Sequence, residues 1–216
     1  WQDRPGRRVY SKDTPFLEIA IWRGKLAAAC RAELLPWARE YLLERPAQWL
    51  FQAPYCRAID EALAPFGYEI GSARKFYLPD LTVPPAVPLG EVRWYEEDEL
   101  EQFQGVPFWG DALCFNPLFP DRIAAAAVDE TGSPIAMAGA SQDGPRLWQI
   151  GINVLPEHRG RGLAVNLTAL LKDELLRRDL VPFYGTAESH LASHNVALGA
   201  GFRPGFAYLY AKPKGT

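Results

Sequence analysis

The stretch Val154-Leu155-Pro156-Glu157-His158-Arg159-Gly160-Arg161-Gly162-Leu163-Ala164 carries the most concentrated chemistry in the chain. A strand pattern ends there, a proline closes it, and a glycine-containing turn opens directly into a long helical pattern. The first turn of a helix presents backbone N–H groups without intrahelical partners, and the macrodipole adds partial positive charge. Arg159 and Arg161 reinforce that field, and the glycines keep Cβ atoms out of the path of an approaching oxygen. A diphosphate suits such a place. The competing reading is a capped surface helix that happens to carry arginine and glycine. Neither of two common phosphate motifs is present. A Walker loop would need a Lys-[Ser/Thr] pair, and the spacing is not Gly-x-Gly-x-x-Gly.

A second stretch runs Tyr184-Gly185-Thr186-Ala187-Glu188-Ser189-His190-Leu191-Ala192-Ser193-His194-Asn195-Val196-Ala197 and leads to Gly201-Phe202-Arg203-Pro204. Glu188 stands just beyond a strand, where a carboxylate can accept a proton; a solvated glutamate at a helix N-terminus is the equal alternative. His190 and His194 lie four residues apart on a predicted helix, a spacing found in zinc sites. Zinc needs three or four ligands, and no third ligand or Cys-x-x-Cys accompanies them, so no metal is expected. One imidazole is expected to face a ligand and the other to be partly exposed. Asp143, in Gln142-Asp143-Gly144-Pro145, reads as a turn residue.

These residues need elements to hold them. Val92–Tyr95 is a predicted strand, Glu96–Phe103 an acidic amphipathic helix, and 105–120 an irregular aromatic stretch. Ala124–Asp129 and Pro134–Gln142 form a hairpin. In Trp148–Leu155, Trp148, Ile150, Ile152 and Val154 alternate with Gln149, Gly151 and Asn153. A helix over Arg159–Arg178 carries Leu163, Leu167, Leu170, Leu171 and Leu175 on one face. Val181–Thr186 is a strand, His190–Ala200 a helix and Phe206–Lys212 a last strand.

Ahead of these lies a mixed segment. Phe16–Trp22 and Lys25–Cys30 pair through Arg23-Gly24. Pro36–Leu43 is a helix with proline in its first turn. Trp49-Leu50-Phe51 is a short strand, Ala58, Ile59, Leu63 and Phe66 give a helical stripe stopped by Gly67, and Tyr68–Ile70 and Lys75–Leu78 are weaker strands. Four prolines in 79–90 favour an extended connector. The expected organisation is therefore an accessory α/β domain over 1–78, a linker over 79–90 and a second domain over 91–216. The accessory segment is rich in large aromatics and is expected to pack on its neighbour and shape the ligand cleft between them.

Arg159-x-x-Gly162-x-Ala164, after a Val-x-Pro strand end, resembles the Arg/Gln-x-x-Gly-x-Gly/Ala pyrophosphate loop of the GNAT acyltransferases. The element order from Val92 to Lys212 is similar to theirs. The 184–202 stretch is similar to a segment of one branch reading Thr-x-x-x-Asn-x-x-Ser-x-x-x-Ala and ending in Gly-Phe, with His190 standing where that branch has asparagine. The resemblance implies a mixed, mostly antiparallel α/β (α+β) sheet flanked by helices, and an N-acetyltransferase that uses acetyl-CoA as acyl donor. It implies direct transfer in a ternary complex, with Ile152, Asn153, Val154, Arg159, Gly160, Arg161, Gly162, Leu163, Ala164, His190 and Ser193 holding the donor. The family's usual glutamate, about four residues before Val154, is replaced by the neighbourhood Gln149-Ile150-Gly151, so Glu188 is the substitute base. Its usual tyrosine acid is replaced by Ala197, leaving Tyr184, Tyr208 and Tyr210, of which Tyr184 and Tyr210 are preferred. Each of these tyrosines also reads as a strand-packing aromatic. The accessory segment resembles the extra N-terminal part of some family members, as a degenerate half of a second such domain. The rival from another class is an acyl-CoA-binding sensor without catalysis.

The bulk numbers fit this reading. The chain has 216 residues, 48% hydrophobic and 23% charged, with net charge −3. Lysines and arginines are scattered, which argues against a nucleic-acid partner. The apolar cluster Leu26–Cys30 is too short to span a bilayer, so no membrane partner is expected. Three dispersed cysteines suit a reducing cytoplasm. The expected acceptor is a small-molecule amine, with a peptide or protein amine as the alternative, and a homodimer is compatible with all of this.

Overall fold

The structure is a computed structural model that describes residues 15–215. Residues 1–14 of the expected N-terminal segment lie outside the described residues. In chain order the elements are β1 (Leu17–Trp22), β2 (Lys25–Cys30), α1 (Leu35–Leu43), α2 (Ala53–Leu63), β3 (Tyr68–Pro79), β4 (Val92–Glu96), β5 (Asp121–Val128), β6 (Pro134–Gln142), β7 (Leu147–Val154), α3 (Leu163–Arg177), β8 (Val181–Ala187), α4 (Leu191–Gly199) and β9 (Phe202–Pro213). The strands form one nine-stranded sheet in the order β2-β1-β9-β3-β8-β7-β6-β5-β4. Its one parallel junction is β7–β8; every other neighbour pair is antiparallel. The mixed, mostly antiparallel sheet with flanking helices is as the sequence implies.

Both faces of the sheet are covered over β5 and β6, which explains the nearly continuous apolar run of β5. Ile123, Ala125 and Ala127 meet Leu167, Leu171 and Leu175 of α3. Ala124 and Ala126 point the other way, toward Leu100, Phe103 and Trp109. A further core joins Leu34, Leu42, Ile59 and Leu63 of the N-terminal helical region to Ile19 of β1 and Leu209 and Ala211 of β9.

Four local expectations change. Trp49-Leu50-Phe51 is not a strand: Ala47–Trp49 is a 3-10 turn after Pro46, and it drives fully buried Leu50 into the core. Glu97–Phe103 winds as a 3-10 helix, closed by a reciprocal capping box between Glu96 and Glu99. The helix expected from Arg159 starts at Leu163, because Gly160 and Gly162 take φ of 75° and 80°, outside helical space. The two weak strands around Gly71 are one, β3, with register shifts between Ile70 and Ser72 and between Phe76 and Tyr77.

β3 lies between β8 and β9, so elements before and after residues 79–90 share hydrogen-bonded strands. Residues 80–91 themselves contain no regular element. They are fastened to α3: the Ala86 N–H donates to the Asp173 carboxylate at 2.7 Å, the Leu89 N–H donates to Asn166 Oδ1 at 3.1 Å, and Asn166 Nδ2 donates to Val87 O at 2.8 Å. Beside them the ammonium of buried Lys172 pairs with Asp173 at 3.1 Å.

Candidate functional site

β7 and β8 pair only from Leu147↔Val181 to Ile150↔Tyr184. Beyond that point each strand stays bound to its outer neighbour. β7 follows β6 out to Ala136↔Val154, and β8 follows β3 out to Arg74↔Ala187. The two therefore splay, and a cleft of about 610 Å³ opens between their C-terminal ends. Leu155 N–H donates to Ile135 O at 3.0 Å. Antiparallel alternation then turns the N–H groups of Asn153 and Gly151 toward β6 and those of Val154 and Ile152 into the cleft.

The outer end of the cleft meets the start of α3. A hollow of about 180 Å³ is lined there by Val154, His158, Arg159, Gly160, Gly162, Leu163, Ala164 and Val165. Val154, Arg159 and Ala164 also line the main cleft, so the two spaces are continuous. Gly162 caps α3 without any side-chain hydrogen bond, leaving the first-turn N–H groups facing the hollow. Arg159 is anchored by its Nε to Val154 O at 3.2 Å. Arg161 is exposed and folds back on His158 Nδ1 at 3.4 Å and Glu157 O at 3.2 Å, and lines neither space.

On the helical side, Tyr184 is 3% exposed and lines the cleft, with its hydroxyl 2.9 Å from Ser193 Oγ on α4. Burial raises the phenol pKa above its ordinary value; the Ser193 hydrogen bond opposes this and the Asp111 charge adds to it. His190 lines the cleft and is exposed. His194, expected to be partly exposed, is buried instead, between Tyr77 Oη at 2.6 Å and Glu188 O at 3.0 Å. The two rings do not share a helical face because His190 is the N-cap of α4, with ψ of 67°. Among the described residues no group of three or more His, Cys, Asp or Glu side chains is placed to hold a metal.

On the opposite face, Gly139 and Gly151 are directly paired across β6 and β7. A Cβ on Gly151 would lie 1.8 Å from Asp111 O, and one on Gly139 would lie 2.2 Å from Ala112 O. The two glycines thus form a notch in which the backbone of Asp111–Ala112 rests. Asn153, two residues on, fixes it there: its Oδ1 accepts from Asp111 N at 3.1 Å and Ala112 N at 2.7 Å, and its Nδ2 donates to Asp111 Oδ2 at 3.1 Å. Asp111 is thereby held exposed on the wall of the cleft.

The expected residues therefore divide. Ile152, Asn153, Val154, Arg159, Ala164, Tyr184, His190 and Ser193 meet at the cleft, and Gly160, Gly162 and Leu163 join at the hollow. The Asn153 side chain bonds the 111–112 loop. Glu188 lies outside the lining and its half-exposed carboxylate pairs with Lys75 at 2.8 Å. Tyr210 is on β9, paired with Glu18 of β1 and Ser72 of β3, two strands beyond β8 and away from the cleft. Asp111, Gln149 and Arg74 line the cleft and were not singled out from the sequence as site residues. The signal available for Asp111 was glycine inside two strands, which marks close backbone approach.

The family model for the Acetyltransferase (GNAT) family matches residues 91–202, more than half of the chain. A search of curated proteins finds no match. Among solved structures, a GCN5-related N-acetyltransferase from Kribbella flavida superposes with TM-score 0.54 at 16% identity, over 98% of this chain and 91% of that one. One from Sphaerobacter thermophilus gives 0.53 at 16%, over 90% and 76%. A GCN5-related N-acetyltransferase-like protein from Streptococcus suis gives 0.51 at 17%, over 93% and 87%. These likenesses speak for the fold and extend into the N-terminal segment.

Proposed function

This chain belongs to the GNAT acetyltransferase family, and from that premise we propose that it moves the acetyl group of acetyl-CoA directly to an amine in a ternary complex. The observation that carries the proposal is the splayed β7–β8 junction, which runs without interruption into the glycine-lined start of α3. Such a shape takes a long, flexible donor with a diphosphate at one end. The N–H groups of Gly160 and of Gly162, Leu163 and Ala164 hold the diphosphate, with the Arg159 side chain as a fixed cation. Ile152, Val154, His190 and Ser193 line the path of the pantetheine arm. The cleft-facing N–H of Val154 hydrogen-bonds the thioester carbonyl and stabilises the negative charge that develops on its oxygen.

The acceptor arrives as an ammonium and must lose a proton before its nitrogen can attack. Asp111 takes this role. It is an exposed carboxylate on the cleft wall, whereas Glu188 is tied to Lys75 outside the cleft. The neutral amine then forms a C–N bond to the carbonyl carbon, and the C–S bond breaks as the tetrahedral centre collapses. Tyr184, kept protonated by its burial, gives its proton to the departing sulfur and recovers one from the nitrogen. The products are the N-acetyl amine, free CoA thiol and the proton that Asp111 returns to solvent.

Asp111→Asn tests this reading. It should lower kcat by about 10²–10⁴-fold at neutral pH and leave acetyl-CoA affinity, measured by calorimetry, unchanged. Glu188→Gln in the same assay separates the two carboxylates. An Asp111→Asn variant with wild-type turnover overturns the assignment. Acetyl-CoA binding without transfer to any amine would favour the sensor reading.

A further inference from the structure

Two charged side chains of the cleft lie outside the donor path proposed above, and they are of opposite sign. Asp111 stands on the β7 wall and Arg74 on the β3 wall beyond β8. Both lie on the face of the sheet away from α3 and α4. A Cβ on Gly185 would meet Phe76 at 2.6 Å and Gln149 Nε2 at 3.4 Å, so Gln149, Gly185 and Phe76 share one face. Asp111 rests on Gly151, two residues from Gln149, and Arg74 is two residues from Phe76, so strand alternation puts them on that face too. The Phe76 ring and the Gln149 amide close over Gly185, so together they form the floor between the two charges. Across β7, β8 and β3 there are two strand spacings, about 10 Å before the splay is added, a gap that a small molecule and the length of an arginine side chain can fill together.

Among the described residues neither charge is neutralised. The Arg74 Nε donates to Ser72 Oγ at 3.1 Å, and among the described residues no carboxylate pairs with its guanidinium. Asp111 accepts from Asn153 and pairs with no described basic residue. The neighbouring Lys75 is matched with Glu188, and Arg122, Arg146, Arg177 and Arg178 are each matched with an acid. An exposed cation and anion facing each other across a cleft suit a ligand with the reverse arrangement.

We infer that the acceptor is a zwitterion of the free amino-acid type, whose ammonium meets Asp111 and whose carboxylate pairs with Arg74. The inference rests on the transfer reading above and adds the substrate class. Arginine suits the role because its planar fork matches a carboxylate with two parallel hydrogen bonds. A diamine would present a second cation to Arg74, and an amidated amino acid would leave the guanidinium without its charge partner, so both are disfavoured.

The experiment measures acetyl transfer from acetyl-CoA to the twenty free L-amino acids, to the same amino acids as α-carboxamides, and to 1,4-diaminobutane, with calorimetry of acetyl-CoA run in parallel. At least one free amino acid should be preferred over its amide by about 10–100-fold in kcat/KM, the range of a charge-assisted hydrogen-bonded pair. Arg74→Gln should bring the free acid down to the level of its amide, leave the amide rate as it was, and leave acetyl-CoA affinity unchanged. Equal or better use of the amides or the diamine overturns the inference, as does acetyl-CoA binding with no transfer to any free amino acid. Loss of acetyl-CoA affinity in Arg74→Gln also overturns it, by assigning Arg74 to the donor's phosphates. Failure of the wild-type protein to bind acetyl-CoA would instead remove the transfer reading beneath it.

Discussion

Gly151→Ala isolates the notch that positions Asp111 on the proposed acceptor side of the cleft. The new methyl would sit 1.8 Å from Asp111 O, 2.9 Å from its carbonyl carbon and 3.4 Å from the Ala112 Cα. Those are backbone atoms, so no side-chain rotation relieves the contact, and the loop must lift away from β7. Lifting stretches the two hydrogen bonds at 3.1 and 2.7 Å that Asn153 Oδ1 accepts from the loop. Overpacking of this kind costs about 1–3 kcal/mol. For a chain of this length that lowers Tm by about 2–12 °C. Turnover should fall much further, because a 1 Å misplacement of a reacting group can cost about 10²-fold. The α3 cradle is on the other side of β7 and is untouched, so acetyl-CoA affinity should hold. Thermal unfolding, steady-state kinetics and calorimetry on the same preparation separate the three effects. A Gly151→Ala protein with wild-type Tm and kcat would show that the notch does not position Asp111, and the reasoning would fail at its first step.

Gly162→Ala should abolish acetyl-CoA stabilisation. The position needs φ of 80°, which alanine adopts only under strain, and the added Cβ would press on Leu89 Cδ1 at 3.4 Å, so the loop that aims the first-turn N–H groups must shift. Wild-type protein at 100 times the dissociation constant should gain about 2.7 kcal/mol, and an equal gain in the variant refutes the cradle. Glu174 offers a pH test. Its hydrogen bond with Arg177, then that with Arg178, holds its pKa down at about 2. A carboxylate held below its unfolded value stabilises the fold above pH ~4.5 and loses that contribution as pH falls toward its folded value. The displacement is worth at most about 3 kcal/mol, and solvent access to the arginines reduces the expected figure to about 1–2 kcal/mol. Glu174→Gln should therefore lower Tm at pH 7, with the deficit shrinking between pH ~4.5 and 2; a deficit constant across that window contradicts the pairing.

The parts of the site legible in the sequence are those whose meaning is local. A strand, a proline, two glycines and a long amphipathic pattern are enough to place a helix start, and Arg159–Ala164 is found there. Tyr184 and Ser193 were reached through a motif spanning neighbouring elements. The residues that were missed depend on remote partners. Gly139 and Gly151 acquire their meaning only when β6 and β7 align, and Asp111 only when the loop settles into the notch they form. The four-residue spacing suggests that His190 and His194 face the same way, but the backbone at His190 leaves helical space, and His194 is buried against Tyr77, a partner more than a hundred positions away.

β3 is the clearest case of a long-range decision. Its partners are residues 184–187 and 202–213, more than a hundred positions away, and its two register shifts break the alternation that would mark it as a central strand. Local pattern therefore divides it at Gly71, yet its position has direct consequences for the site. Holding β8 on its far edge, β3 lets the end of β8 separate from β7 without leaving that edge unpaired. It supplies Tyr77, whose hydroxyl fixes the ring of His194 beneath α4, and Arg74, which faces Asp111 across the cleft. The hollow proposed for the diphosphate is lined wholly by residues 154–165, whereas the proposed acceptor pair draws one charge from each side of the 79–90 connector. A specificity change can then arise in β3 without disturbing donor binding, which is the separation that Arg74→Gln and Gly162→Ala would measure from opposite ends of the same cleft.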